Sequence, residues 1–146
     1  MRKICFILLF LAVIASVATL APAQDAGFKV IVNPKITVNS LSRSQISSIF
    51  LKKLNRWPDS DQSAKPVDLD SSSPVREAFS QDIHKRSVSN IKNFWQRQIF
   101  SGKDLPPVEA RDEAEMLRLV RDNPGGIGYV SASASTTGVK VLTVVD

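Results

Sequence analysis

The sequence predicts a three-layer α/β domain with a mixed, mostly parallel sheet flanked by helices. Two observations carry this. Short β-branched apolar runs alternate along the chain with segments whose apolar residues recur at helical spacing. The punctuation between them, Asn33-Pro34, Ser73-Pro74 and Asn123-Pro124-Gly125, belongs to strand ends, helix starts and helix ends. The chain has 146 residues, 43% apolar and 23% charged, which suits one globular core and is too few for two lobes with separate cores.

The elements follow in order. Met1 to Ala23 opens with Arg2 and Lys3, continues through the apolar run Ile4–Val13 and closes on Ala21-Pro22-Ala23, the pattern of a cleaved secretory leader. The run is shorter than the ~20 apolar residues that span a bilayer. A mature chain from Gln24 has no cysteine, because Cys5 lies in the leader, so neither disulfides nor thiolate chemistry are expected. Phe28–Val32 reads as a strand ended by Asn33-Pro34. Ser42 with Gln45 forms a capping box, and Leu41 can staple onto Ile46 ahead of a helix burying Ile46, Ile49 and Phe50. Trp57-Pro58-Asp59 opens a loop to Lys65, and Pro66–Leu69 is a second strand. Ser73 caps a helix with Pro74 at its first position, expected to reach Asp82 and to bury Val75, Ala78 and Phe79.

A helix over Val88–Phe100 carries Ile91, Phe94, Trp95 and Ile99 as a core stripe, and Ser101-Gly102 stops it. After Pro106-Pro107, a helix over Asp112–Asp122 turns Met116, Leu117 and Val120 inward. Ile127–Val130 and Val139–Val145 are the last strands.

In their order and spacing these pieces resemble the phosphate-specific substrate-binding proteins of ABC transporters, of the type-2 periplasmic-binding fold. The residues that carry the resemblance are Ile31-Val32-Asn33-Pro34, Leu41-Ser42 with Gln45-Ile46 and Ile49-Phe50, Trp57-Pro58-Asp59, Ser73 to Phe79, and Asn123-Pro124-Gly125-Gly126-Ile127-Gly128-Tyr129-Val130. It implies a periplasmic or secreted domain over residues 24–146, a single lobe of the two that close on a ligand, with phosphate as ligand and an ABC permease as partner. Where that family has Ser-Gly-Thr, this chain has Ser73-Pro74-Val75, which removes one backbone N–H and one hydroxyl. The basic residue the family often carries shortly before is replaced by Leu69 and Asp70.

The candidate site is therefore Ser71-Ser72-Ser73 with Arg76 one turn into the helix. Backbone N–H groups, the positive end of the helix dipole and serine hydroxyls attract oxyanions there. Equally, Ser73 can be an ordinary cap and Arg76 the partner of a nearby carboxylate. Ser42 with Arg43 is a second helix start that could face the same cleft. Lys52, Lys53 and Arg56 before Trp57 form either a basic, aromatic-edged surface or a solvated helix end, and His84, Lys85 and Arg86 read as a helix terminus.

Enzyme chemistry finds little support. One histidine and no mature cysteine exclude a His/Cys metal cluster, no Gly-x-Ser-x-Gly precedes a helix, and Gly125 to Gly128 enters a strand rather than opening a helix. Asp112, Glu113 and Glu115 are the acids a helix start favours. No metal or cofactor is expected. The 19 basic and 14 acidic residues give +5, an excess of three without Arg2 and Lys3, and they are interspersed rather than gathered into the stripe nucleic acid needs. The readings left are an oxyanion-binding domain, possible also as a homodimer that closes the site, and an interaction module in an exported assembly that has lost its ligand.

Overall fold

The computed structural model describes residues 27–146. The leader and its cleavage after Ala23 lie outside the described residues. The chain runs β1 (Phe28–Val32), β2 (Ser40–Ser42), α1 (Arg43–Phe50), β3 (Lys65–Leu69), α2 (Pro74–Phe79), α3 (Val88–Phe100), β4 (Val108–Ala110), α4 (Glu113–Asp122), β5 (Gly126–Ser131) and β6 (Lys140–Val145). One mixed sheet has the order β2-β6-β1-β5-β3-β4. β1 is antiparallel to both its neighbours, and the other three pairings are parallel, so five strands point one way and β1 the other.

Side chains alternate across a strand, and β5 shows what covers each face. Tyr129 stacks on Phe79 of α2 at 3.8 Å and lies 5.9 Å from Phe50 of α1. On the other face a Cβ at Gly128 would stand 2.3 Å from Met116 Sδ of α4, so glycine is needed for α4 to pack this closely. Helices cover both faces, giving the three layers the sequence predicts. Val30, Ile31, Val32, Ile46, Ile49, Phe50, Ile127 and Val130 fill the space between them.

Ser42 and Gln45 form the capping box. Asn33 caps differently: its Oδ1 accepts from Lys35 N while its Nδ2 donates to Val120 and Arg121 carbonyls at the end of α4, locking the first strand to a distant helix. The structure adds two three-residue strands, β2 and β4, too short to show periodicity. The helix expected to reach Asp82 does pass it, but in two parts. α2 ends at Phe79 and widens into a π turn over Ser80–His84, closed by Lys85 in the left-handed region at φ 55° and by Ser80 Oγ donating to Arg86 O at 2.7 Å.

Two other expectations change. Within the α3 stripe, Ile91 and Trp95 are buried, but in a satellite cluster with Leu51 rather than in the main core. Ile99 is 49% and Phe100 92% exposed. Trp57 is buried, and its Nε1 donates to Gly125 O at 3.1 Å, drawing the Trp57 loop onto the turn before β5. Lys52 meets Asp104 and Arg56 meets Asp61, so the basic cluster is dispersed.

Candidate functional site

β3 delivers the chain at Leu69 to the carboxyl end of the sheet, where open α/β folds hold ligands. There Asp70–Ser73 make a tight turn into α2. Asp70 Oδ1 accepts from Ser72 N at 3.0 Å and from Ser72 Oγ at 2.5 Å. Its backbone carbonyl accepts from Ser73 N at 3.0 Å. The Ser72 hydroxyl and amide hold the exposed Asp70 carboxylate below its ordinary pKa, so a negative charge sits inside the turn. Ser73 Oγ accepts from Arg76 N at 3.4 Å, the cap that the sequence predicts. An oxyanion arriving here competes with Asp70 for Ser72 and Ser73.

Arg76 does not reach from the helix into solvent. Its side chain is 5% exposed, and its guanidinium donates to Leu69 O at 2.6 Å and pairs with Glu109 of β4 at 3.1 Å and Asp68 of β3 at 3.5 Å. Tyr129 Oη donates to Asp68 Oδ1 at 2.5 Å and accepts from Leu69 N at 3.1 Å, so β3, β4, β5 and α2 meet in one polar knot inside the core. Burial lifts the Asp68 carboxyl above its usual pKa against the opposing pull of Arg76 and Tyr129. Arg76 is held still more firmly protonated: burial works against its charge, but Asp68, Tyr129 and Glu109 outweigh it. Tyr129 is raised well above the usual phenol value by burial and the Asp68 charge. A buried guanidinium with two carboxylates within 3.5 Å has little charge left for an incoming anion. The available signal was Asp68, an acid between the apolar Val67 and Leu69.

Ser42 opens at the same end of the sheet but not at the same place. β2 and β3 are four strand spacings apart, about 19 Å at ~4.8 Å each, too far for one small anion to touch both. Ser42 serves α1 as its cap, and Arg43 beside it pairs with Asp82 and Asp146.

Next to Ser71 lies a shallow cleft of about 440 Å³, lined by Ser71, Val88, Ser89, Lys92, Asn93 and Gln96. Sequence reasoning missed its α3 residues, because their distance from the serine turn along the chain hides their nearness. A larger cleft, about 540 Å³, opens among Lys52, Asn55, Lys65, Pro106, Pro107 and Asn123. It lies at the starting ends of β3 and β4, away from the turn. His84 forms a further polar contact, Nδ1 to Ser47 Oγ at 2.8 Å. Burial, reinforced by Arg86 and Arg76, lowers its pKa to about 4, so the ring is neutral at pH 7. Among the described residues no group of three or more His, Cys, Asp and Glu is placed to hold a metal ion.

No family model matches the chain, and no curated protein does. Solved structures match over most of its length. An ABC-type phosphate transport receptor from Vibrio cholerae superposes with a TM-score of 0.64 at 21% identity, over 81% of this chain and 46% of the receptor. A phosphate ABC transporter substrate-binding protein from Clostridium perfringens, solved with bound phosphate, gives 0.65 and 21% over 81% and 44%. The chain shares the fold of one part of these phosphate transport receptors. PstS from Borrelia burgdorferi superposes less closely, at 0.57 and 18% identity over 81% and 47%. The chain spans under half the length of each of these receptors.

Proposed function

We propose that the protein is an exported, non-catalytic domain of phosphate-binding-protein type. It contacts phosphate or a related oxyanion weakly at the Ser71–Ser73 turn and serves phosphate uptake or sensing. The observation that carries the reading is the position of this serine-rich turn at the carboxyl end of β3, in a fold shared with receptors of which one was solved with phosphate bound. Residues 24–146 form the working unit and the leader directs it to the periplasm or outside the cell; an ABC permease is the partner such a role calls for. Weak binding follows from three features: Pro74 offers no N–H, Asp70 already occupies Ser72 and Ser73, and Arg76 is engaged by Asp68 and Glu109. A second copy or another exported protein on the open side of the turn would strengthen it. Phosphate-dependent thermal stabilisation that weakens on Ser71→Ala tests the reading; no stabilisation by phosphate, with sulfate as control, counts against it.

A second reading has an observation of its own. Ile99, Phe100, Leu105 and Val108, within ten residues of one another, are all exposed, from 49% to 92%. Apolar residues so gathered mark contact surfaces, as an interaction module in an exported assembly would require. A soluble monomer at high concentration would argue against it.

A further inference from the structure

We infer that the positive charge of the oxyanion site comes from Lys92 of α3, not from Arg76, and that the cleft between the Ser71 turn and α3 takes a phosphate group, free or at the end of a small polar molecule. The inference rests on the reading above and names residues that it lacked. Ser89, Lys92 and Gln96 recur at helical spacing on one exposed stripe of α3, while Val88, Ile91 and Trp95 are buried. That stripe faces Ser71 across the cleft, with Asn93 beside it. The polar lining thus comprises two hydroxyls, two carboxamides and an ammonium group, with no carboxylate. Each can donate a hydrogen bond to a phosphate oxygen.

The charges differ sharply from those around Arg76. Among the described residues Lys92 has no carboxylate within ion-pair distance, whereas Arg76 has two. The nearby Glu77 is occupied, accepting from Val88 N at 3.2 Å and from Gln81 at 2.9 Å. Asp70, on the other side of Ser71, is held by Ser72. At about 440 Å³ the cleft has room beyond the phosphate group for a polar substituent.

The test is a ¹⁵N-resolved NMR titration of the exported protein, recovered from the periplasm of an expressing cell, with inorganic phosphate and with glycerol 3-phosphate. Sodium chloride at matched ionic strength is the control. Saturable shifts are expected at Ser71, Ser89, Lys92, Asn93 and Gln96. Lys92→Gln should weaken binding about tenfold, one charge-assisted hydrogen bond's worth, and Lys92→Arg should restore most of it. Tighter binding of glycerol 3-phosphate assigns the site to a phosphomonoester, and equal or weaker binding to the free anion. Saturable phosphate binding that is unchanged in Lys92→Gln overturns the inference and leaves the Ser71–Ser73 reading standing. No saturable shift with either ligand, or equal shifts with chloride, overturns both. Lys92 is exposed and on the polar face of α3, so its replacement leaves folding intact; an unchanged thermal midpoint confirms it.

Discussion

Replacing Arg76 with Met removes the one cation from the knot around Asp68 and leaves a carboxylate that is 6% exposed without its counter-ion. Breaking a buried pair in this way costs about 3–5 kcal/mol. Proton uptake sets a ceiling on it. Holding Asp68 neutral at pH 7, when its ordinary pKa is 3.8, costs about 4 kcal/mol at 1.36 kcal/mol per unit. For a domain of this size that is a fall in Tm of roughly 10–20 °C. The sign of the pH dependence follows from the direction of the shift. A carboxyl whose folded pKa is raised contributes stability below its unfolded pKa and loses it as pH rises through the folded value. Arg76 pulls the Asp68 pKa down, so its loss raises that pKa further, and the deficit of Arg76→Met against the native protein should shrink as pH falls from 7, by up to about 1.4 kcal/mol per unit, until the native carboxyl is itself protonated. Adding Asp68→Asn removes the charge and keeps an oxygen for Tyr129 Oη, so the double variant should be more stable than Arg76→Met alone. Urea unfolding followed by circular dichroism at pH 5 and 7 supplies all four corners of the cycle. Additivity within about 0.5 kcal/mol, or a deficit that does not change with pH, would refute the account of the knot.

Other consequences follow from the same contacts. Glu109→Gln, at a carboxylate whose side chain is 46% exposed, should cost no more than about 1 kcal/mol in the same unfolding assay, far less than loss of Arg76. His84 has its folded pKa lowered to about 4 from 6.5, so it contributes stability above pH 6.5 that is lost as pH falls to about 4. The full shift is about 3 kcal/mol, and His84→Gln should flatten that part of the stability–pH curve; an unchanged slope would place the titration elsewhere. Gly125→Ala puts a Cβ 1.9 Å from the backbone carbonyl of Ser63, where no side chain can yield. It should cost several kcal/mol, or prevent folding, with loss of Trp57 burial seen as a red-shifted fluorescence maximum.

Much of the fold is legible in the sequence, since its signals are local. The cap pair Ser42 and Gln45, Pro74 after Ser73, and the 3.6-residue spacing in α3 and α4 each place an element without reference to the rest of the chain. β2 and β4 are different: three residues carry no period, and both strands exist because β6 and β3 offer them a partner. The same limit applies at the site. Ser73 is readable as a cap because its partner is three residues away. Whether Arg76 faces solvent depends on Asp68, Glu109 and Tyr129, brought together by the parallel register of three strands. Lys92 looks like any lysine on a helix until the fold sets its stripe across from Ser71. Ile99 continues the apolar spacing of α3, but among the described residues no other element covers the last turn, so it is left 49% exposed.

Isothermal titration of the protein with phosphate, against sulfate at equal ionic strength, tests the central claim most directly. The account predicts saturable heat with a dissociation constant of about 0.1–10 mM, some 3–5 kcal/mol of binding free energy, weakened by Ser71→Ala. Absence of saturable heat up to about 20 mM phosphate, beyond even the weak end of that range, would contradict it.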